Sequence, residues 1–319
     1  MNFYPLLFEP ILKERIWGGT KLNTILNKKI TSEITGESWE ISAVENDVSK
    51  VSNGEFTGKS LNYLIHQFPN EVLGTKVHES FGFDFPLLFK FLDAREDLSI
   101  QVHPNDELAK KRHNSFGKTE MWFVMQADEN AELIVGFKEH SSKKEYENHL
   151  KSNSVLELLE TFKVKTGDVF FLETGTVHAI GAGTVIAEIQ QTSDITYRIF
   201  DFNRKDANGN ERELHTELAL EAINYNKIYA KVVYGTSEDE SCKILHCNYF
   251  KTNIINLSSK IDISKTNESF VVYMCTEGNF EINFDNTNYK FKKGDTVLLP
   301  AILTKYSISG KANLLEICL

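Results

Sequence analysis

Two histidines and a glutamate, His103, Glu120 and His178, are the residues of this sequence best suited to hold a divalent cation, because each is set at the end of a stretch that reads as a strand. Leu98 to His103 alternates polar with apolar residues at period two, so Ser99, Gln101 and His103 share one strand face. Pro104 stops that strand, since it has no N–H for a ladder and holds His103 extended. Gly117 to Met125 reads as an apolar, aromatic strand containing the carboxylate of Glu120, and a hairpin or long loop over residues 104–119 returns it beside His103. Lys165 to His178 runs through a Gly-Asp turn, an apolar strand and a glycine turn to a histidine. Any one of these histidines alone is ordinarily structural or exposed. Three donors at strand ends, with a polar side chain or water in a fourth position, describe an open catalytic metal site that acts as a Lewis acid.

The elements that must carry these residues are mostly strands. Pro86 to Asp93 is a continuous apolar run of the kind buried on both faces, with Lys90 in its middle. That lysine either buries its stem and snorkels its ammonium to the surface, or turns it toward an anion in a pocket. Gly36 to Ser42 alternates, with Trp39 and Ile41 toward a core and Ser38, Glu40 and Ser42 on the other face, which is either solvated or lines a pocket. Asn130 to Phe137 reads as the return strand of a hairpin with the Glu120 strand. Residues 184–204 hold two β-rich runs around a Thr-Ser-Asp turn, and alternation puts Thr184, Ile186, Glu188 and Gln190 on one face. Residues 1–20, with Pro5, Pro10 and a Trp-Gly-Gly turn, form an extended arm. Short helices are expected at Lys21–Asn27, at Ser60–Phe68 with Ser60 as cap, within residues 139–162 and at Leu214–Ile223, and residues 225–242 form a connector. His140 and His149 belong to a solvated helical stretch and are not ligands.

Composition bounds the function classes. The 319 residues suggest two domains, and 41% hydrophobic with 25% charged residues is ordinary for a soluble globular chain. A formal charge of −10 argues against non-specific nucleic-acid binding, so any anion site is built locally. Cys242, Cys247, Cys275 and Cys318 make no C-x2-C pair and read as buried structural thiols of a reduced, cytoplasmic protein. The apolar start of the chain lacks a basic region and falls far short of the about 20 residues of a membrane span, so neither a signal peptide nor a membrane partner is expected.

The spacing of Lys165 to His178 resembles the second sequence motif of the cupin superfamily, with Glu173 in place of its usual proline. Lys292 to Lys305 repeats it with Pro300 restored and Lys305 at the histidine position, and Phe270 to Gly278 parallels the Glu120 strand with Phe270 where the carboxylate would stand. This second copy keeps turns and strands but has lost its ligands. The expected fold is mainly β, two cupin-like β-sandwich or jelly-roll units with a few short helices. Residues 1–235 form a catalytic metal-binding unit with a short helical insertion near 139–162, and residues 236–319 a degenerate, metal-free unit.

Four further stretches carry a closer resemblance: Ser99-Ile-Gln-Val-His-Pro104, Lys118-Thr-Glu-Met-Trp122, Gly175-Thr-Val-His-Ala-Ile-Gly181 and Thr196-Tyr-Arg-Ile-Phe-Asp-Phe202. With these the sequence is similar to class I mannose-6-phosphate isomerases of the short bacterial form, over most of the chain. The resemblance implies a zinc-dependent enzyme that interconverts mannose 6-phosphate and fructose 6-phosphate. It implies one zinc per chain on Gln101, His103, Glu120 and His178, an active-site arginine at Arg198, a pocket lysine at Lys118, a proton-carrying carboxylate at Glu188 and phosphate-side polar residues at Lys90, Ser99 and Arg204. Ile180 departs from the aromatic often found there. On the residues alone, Glu188 also fits an ion-pair partner and Lys118 a solvent-facing loop residue. The implied partner is a small phosphorylated sugar, bound by a monomer or weak homodimer. Two rival readings are another metal cupin such as an iron oxygenase, since ligands alone do not name the metal, and a sugar-phosphate-binding cupin without turnover.

Overall fold

The computed structural model describes residues 2–205 and 209–319; Met1, at the head of the expected extended arm, lies outside them. The fold is mainly β with short helices, in line with the sequence reading. Strands β1 (Ile11–Gly19), β2 (Thr35–Ile41), β3 (Leu87–Ala94), β4 (Ile100–Val102), β5 (Glu120–Ala127), β6 (Glu132–Phe137), β7 (Leu159–Lys163), β8 (Val169–Leu172), β9 (His178–Ile180), β10 (Thr184–Gln191), β11 (Tyr197–Phe200) and β12 (Lys231–Val232) build two antiparallel sheets. The first has the order β1-β2-β3-β10-β5-β8-β12 and the second β11-β4-β9-β6-β7. A third sheet holds β13 (Ser241–His246), β14 (Lys251–Leu257), β16 (Val271–Phe284), β17 (Thr287–Lys292) and β19 (Lys305–Cys318), with β15 (Ile261–Ser264) on β19 and β18 (Thr296–Leu299) on β16.

The first sheet is buried on both faces, which is why Pro86 to Asp93 reads as an unbroken apolar run. One face, with Phe89, Phe91, Met121, Phe123, Val185 and Ile189, shares a core with Phe270, Val272, Leu298 and Leu315 of the third sheet. The other, with Leu92, Trp122, Val124 and Ile186, packs on Leu133, Val135 and Ile180 of the second sheet. Period-two alternation therefore sends Lys90 and Glu188, cross-strand partners on β3 and β10, toward the second sheet and away from the third.

The repeat is visible atom by atom at its turns. Gly167 and Gly294 both have φ +88°, a left-handed conformation that glycine adopts without strain. Their N–H groups donate to Val124 O and Cys275 O, and Asp168 and Asp295 each accept the N–H three residues upstream, at 3.1 and 2.8 Å. The register corrects the sequence alignment by one residue: Leu172 faces Glu120, and Leu299, equally far from its glycine, faces Val271, so Val271 and not Phe270 stands at the carboxylate position.

Other expectations change for physical reasons. Helices α1 (Lys21–Thr24), α2 (Leu61–Gln67), α3 (Pro69–Val72), α4 (Thr75–Phe81), α5 (Asp106–His113), α6 (Lys143–Lys151) and α7 (Thr216–Ala222) include one, α5, in the stretch read as hairpin or loop. Asn105 caps it, and acidic residues fill its first turn and basic ones its last, so capping and the helix dipole hold it while only Ala109 is buried. Strand β6 is not the hairpin partner of β5, whose two edges are already taken by β10 and β8; it joins β9 and β7 in the second sheet. The stretch expected to be helical up to Phe162 ends as β7. A register shift between Trp39 and Ile41 puts these two on opposite faces of β2, so Trp39 lies beside Lys90 while Ile41 joins the core with Phe89. Of the four free thiols, Cys275 is buried and the other three are half-buried.

Candidate metal centre and active site

The second sheet brings Gln101 and His178 together as register partners on β4 and β9, and Pro104 leaves His103 just past the end of β4. Glu120 opens β5 of the first sheet and closes the cluster from the other side. One donor atom from each of His103, Glu120 and His178 lies within 4.8 Å of the others. His103 Nε2 stands 3.3 Å from Glu120 Oε1, and His178 Nε2 3.8 Å from Glu120 Oε2. All three side chains are at most 2% exposed.

The other ring nitrogens fix the tautomers. His103 Nδ1 donates to the Ile195 carbonyl at 2.9 Å and His178 Nδ1 to the Thr176 carbonyl at 2.8 Å, which leaves both Nε2 lone pairs facing Glu120. His103 Nε2 and both Glu120 oxygens are buried with no hydrogen-bond partner among the described residues. Each such group costs about 1–3 kcal/mol when left unmatched in the interior, and more if charged, so these converging acceptors, with Lys118 on one side of Glu120, fit a cation between them. Gln101 Nε2 is 3.2 Å from His178 Nε2, and a half-turn of its amide presents the oxygen instead.

The titration behaviour agrees. Burial, followed by the nearby Lys118 ammonium, pushes His103 down to about 3, so its imidazole is neutral near pH 7 and free to act as a ligand. Burial also lowers His178, against the pull of Glu120. Burial alone would raise Glu120, but Lys118, 3.3 Å from its Oε1, and the two imidazoles outweigh this and hold the carboxyl well below the usual range.

A cavity of about 600 Å³ opens beside this cluster, lined among others by Gln101, Lys118, Lys90, Glu188, Ser99 and Arg198. Lys90 does not snorkel: it is 5% exposed, 3.0 Å from Glu188 Oε1 and donating to Gln190 Oε1 at 2.7 Å. Lys118 is likewise buried and not a solvent-facing loop residue. Glu188 also accepts the Trp122 indole N–H at 3.0 Å. Burial and then the charge of Glu120 raise Glu188 above an ordinary carboxylate, against Lys90 and Lys118.

Along the same cleft, Arg204 and Arg212 both pair with the carboxylate of Asp201, and Arg198, the register partner of Gln101, lies close enough to feel all three. Arg198 donates to the Glu213 carbonyl at 2.8 Å, while its buried Nε has no partner among the described residues. Arg204 and Arg212 share one aspartate side chain with Arg198 beside them, an arrangement that can accept an added anion. Arg204 bonds the Asp97 carbonyl as well and does not line the cavity; Arg212 does. Sequence reading missed Arg212, which lies in a polar stretch without periodicity, and it missed Glu37 and Trp17, which line the same cavity. The i, i+2 spacing of Glu37 and Trp39 on a strand was the available signal for Glu37.

A β-sandwich that gathers two histidines and a glutamate from facing sheets beside a polar cleft defines a cupin enzyme with a site fitted to a divalent cation. The comparisons with known proteins narrow that class. The family model described as phosphomannose isomerase type I, catalytic domain, matches residues 6–149, and the one described as mannose-6-phosphate isomerase, cupin domain, matches residues 240–319. The chain is 39% identical to mannose-6-phosphate isomerase ManA of Bacillus subtilis, covering 98% of each chain. It is 35% identical to the mannose-6-phosphate isomerase of Streptococcus mutans, covering 98% of this chain and 97% of that one. The crystal structure of the mannose 6-phosphate isomerase from B. subtilis superimposes with a TM-score of 0.91 at 35% identity, covering 99% of each chain. A putative mannosephosphate isomerase from Archaeoglobus fulgidus shares the fold, with a TM-score of 0.79 at 23% identity over 99% of this chain and 98% of that one. This chain belongs to the type I phosphomannose isomerase family and is an enzyme of that class.

Proposed function

We propose that the chain is a zinc-dependent aldose-ketose isomerase that interconverts mannose 6-phosphate and fructose 6-phosphate through an enediolate, with one zinc per chain. The observation that carries this reading is the convergence, beside one cleft, of His178 with His103 Nε2 and both Glu120 oxygens, unpartnered among the described residues, near the guanidiniums of Arg198 and Arg212. Such a cleft suits a molecule with a reactive carbonyl and a phosphate at opposite ends. His103, Glu120, His178 and Gln101 would hold the cation, which supplies Lewis-acid polarisation of sugar oxygens. Arg198 and Arg212, with Ser99, take the phosphate; Arg204 supports them from behind through Asp201.

In the aldose-to-ketose direction, Glu188 takes the proton from carbon 2 and returns it to carbon 1, while the carbon 2 hydroxyl proton passes to the oxygen on carbon 1, so that the carbonyl moves to carbon 2 and carbon 1 carries the hydroxyl. A carboxylate raised by burial is a stronger base than an ordinary one and suits a shared proton. Lys90 beside it and Lys118 beside Glu120 place fixed positive charge where the enediolate gathers negative charge. We take residues 1–235 as the catalytic unit, with the short helical insertion, and 236–319 as a metal-free support, in keeping with the loss of ligands at Val271 and Lys305. The free thiols fit a cytoplasmic protein, and no helix among the described residues is long and apolar enough to cross a membrane. A monomer or weak homodimer is expected. The test is an anaerobic coupled assay of fructose 6-phosphate formed from mannose 6-phosphate. Activity should vanish on chelation and return with zinc. No product from metal-replete protein, or oxygen uptake with iron only, would overturn the reading.

A further inference from the structure

Glu37 is a buried carboxylate that lines the cleft but touches neither the metal cluster nor the arginine end. Its Oε2 accepts the Trp39 indole N–H at 2.6 Å and its Oε1 the Arg15 Nε–H at 2.7 Å. Trp39 is the register partner of Lys90, and its ring centroid lies 5.1 Å from the Lys90 ammonium. Lys90 pairs in turn with Glu188, and Glu188 with Trp122, so one row of side chains crosses four neighbouring strands, β2, β3, β10 and β5. The ammonium has three N–H donors; Glu188 and Gln190 take two, and the third side is closed by the indole that Glu37 holds.

We propose that Glu37 is a positioning residue for Lys90: it fixes the Trp39 wall against which the ammonium rests and supplies the second negative charge that keeps this buried lysine protonated beside the proton-carrying Glu188. The charged groups around Lys90 are Glu37 on β2, Glu188 on β10, Glu120 on β5, Lys118 just before β5, and Arg15 and Lys13 on β1, the last also 5.0 Å from the Trp39 ring and paired with Asp47. Burial works against the charge of Lys90, and Glu188, Glu37 and Glu120 together outweigh it. Glu40, on the opposite face of β2, is engaged with Lys28 and Ser38 and takes no part.

The consequence for the reaction rests on the isomerase reading above; the charge of Lys90 does not, and the experiment separates them. Carbon-13 at the lysine ε position, observed in zinc-loaded protein with Lys90 assigned through Lys90→Arg, follows the ammonium through its titration. Glu37→Gln keeps an acceptor for the Trp39 N–H but removes the charge, and should lower the Lys90 midpoint by about one pH unit or more. Glu37→Asp restores the charge and should bring the midpoint back to within about half a unit of wild type, and Glu40→Gln should leave it unmoved. A midpoint unchanged in Glu37→Gln, or shifted as far in Glu40→Gln, overturns the proposal. In turnover, Glu37→Gln should lower kcat about 10-fold or more with KM within about 3-fold, the alkaline limb of the profile moving down with the midpoint. A shifted midpoint in a wild-type protein that fails to isomerise mannose 6-phosphate would leave Glu37 in its role and remove the isomerase reading instead.

Discussion

His103 Nε2 and Glu120 Oε1 stand 3.3 Å apart at the centre of the site, buried, with no hydrogen bond to either atom among the described residues. Two acceptors tolerate this arrangement when a cation comes between them. His103→Ala, Glu120→Ala and His178→Ala should each abolish stoichiometric zinc together with activity. Gln101→Ala should be milder, because a neutral amide oxygen is a weaker ligand that water can replace. Elemental analysis checks this, and full zinc occupancy in His178→Ala would remove the assignment.

The same burial sets a pH dependence in the metal-free protein. His103 titrates at about 3 in the fold against an ordinary 6.5, so between these values the unfolded chain binds the extra proton. Its contribution is fully present above about pH 6.5 and is lost as pH falls toward 3. Urea unfolding of chelated protein should show stability falling over this window, with a shallower fall in His103→Asn. Equal slopes in the two proteins would contradict the burial of a neutral imidazole.

The arginine end makes a separate prediction. Arg212→Leu should raise KM for mannose 6-phosphate about 10-fold or more with a smaller change in kcat, since a charged contact to phosphate acts on binding of ground and transition states alike. Arg212→Lys should recover part of this, a point charge replacing a fork. Arg204→Gln, behind Asp201 and off the cavity wall, should cost less. Steady-state kinetics decide, and an Arg212→Leu enzyme with wild-type KM would move the phosphate elsewhere.

The second copy of the turn should matter only for folding. Lys305, exposed at the position matching His178, should tolerate Ala with turnover nearly intact. Gly294→Val should destabilise by at least about 2 kcal/mol, because its φ is left-handed and an added Cβ would lie 2.6 Å from the Leu26 carbonyl. Thermal unfolding and turnover of both variants test this, and an inactive but normally folded Lys305→Ala would contradict a purely structural role.

The His103, Glu120 and His178 cluster was legible in the sequence because each residue sits where a local signal bounds a strand: Pro104 after His103, the start of the aromatic strand at Glu120, the Gly175 turn before His178. Period-two alternation likewise put Glu188 on one face with Thr184, Ile186 and Gln190, the face that turns toward the second sheet and the cleft. What escaped has a common cause, which is that it depends on partners remote in sequence. Helix α5 rests on its cap and end charges and not on an apolar stripe. Strand β6 crosses to the other sheet because both edges of β5 are filled, which no local pattern records. The register shift after Trp39 separates Ile41 from Glu37 and Trp39, which line the cleft, while behind it Glu40 pairs with Lys28 and accepts the Ser38 hydroxyl.

The most direct test of the chemistry is the fate of the carbon 2 proton. Zinc-loaded protein incubated with mannose 6-phosphate in deuterium oxide should place solvent deuterium at carbon 2 of recovered substrate, measured by NMR alongside fructose 6-phosphate formation. In Glu188→Gln, folded and zinc-bound, exchange and turnover should both fall about 10²–10⁴-fold, the scale of general acid-base catalysis, with substrate binding retained. Exchange at the wild-type rate in Glu188→Gln would exclude this carboxylate as the proton carrier.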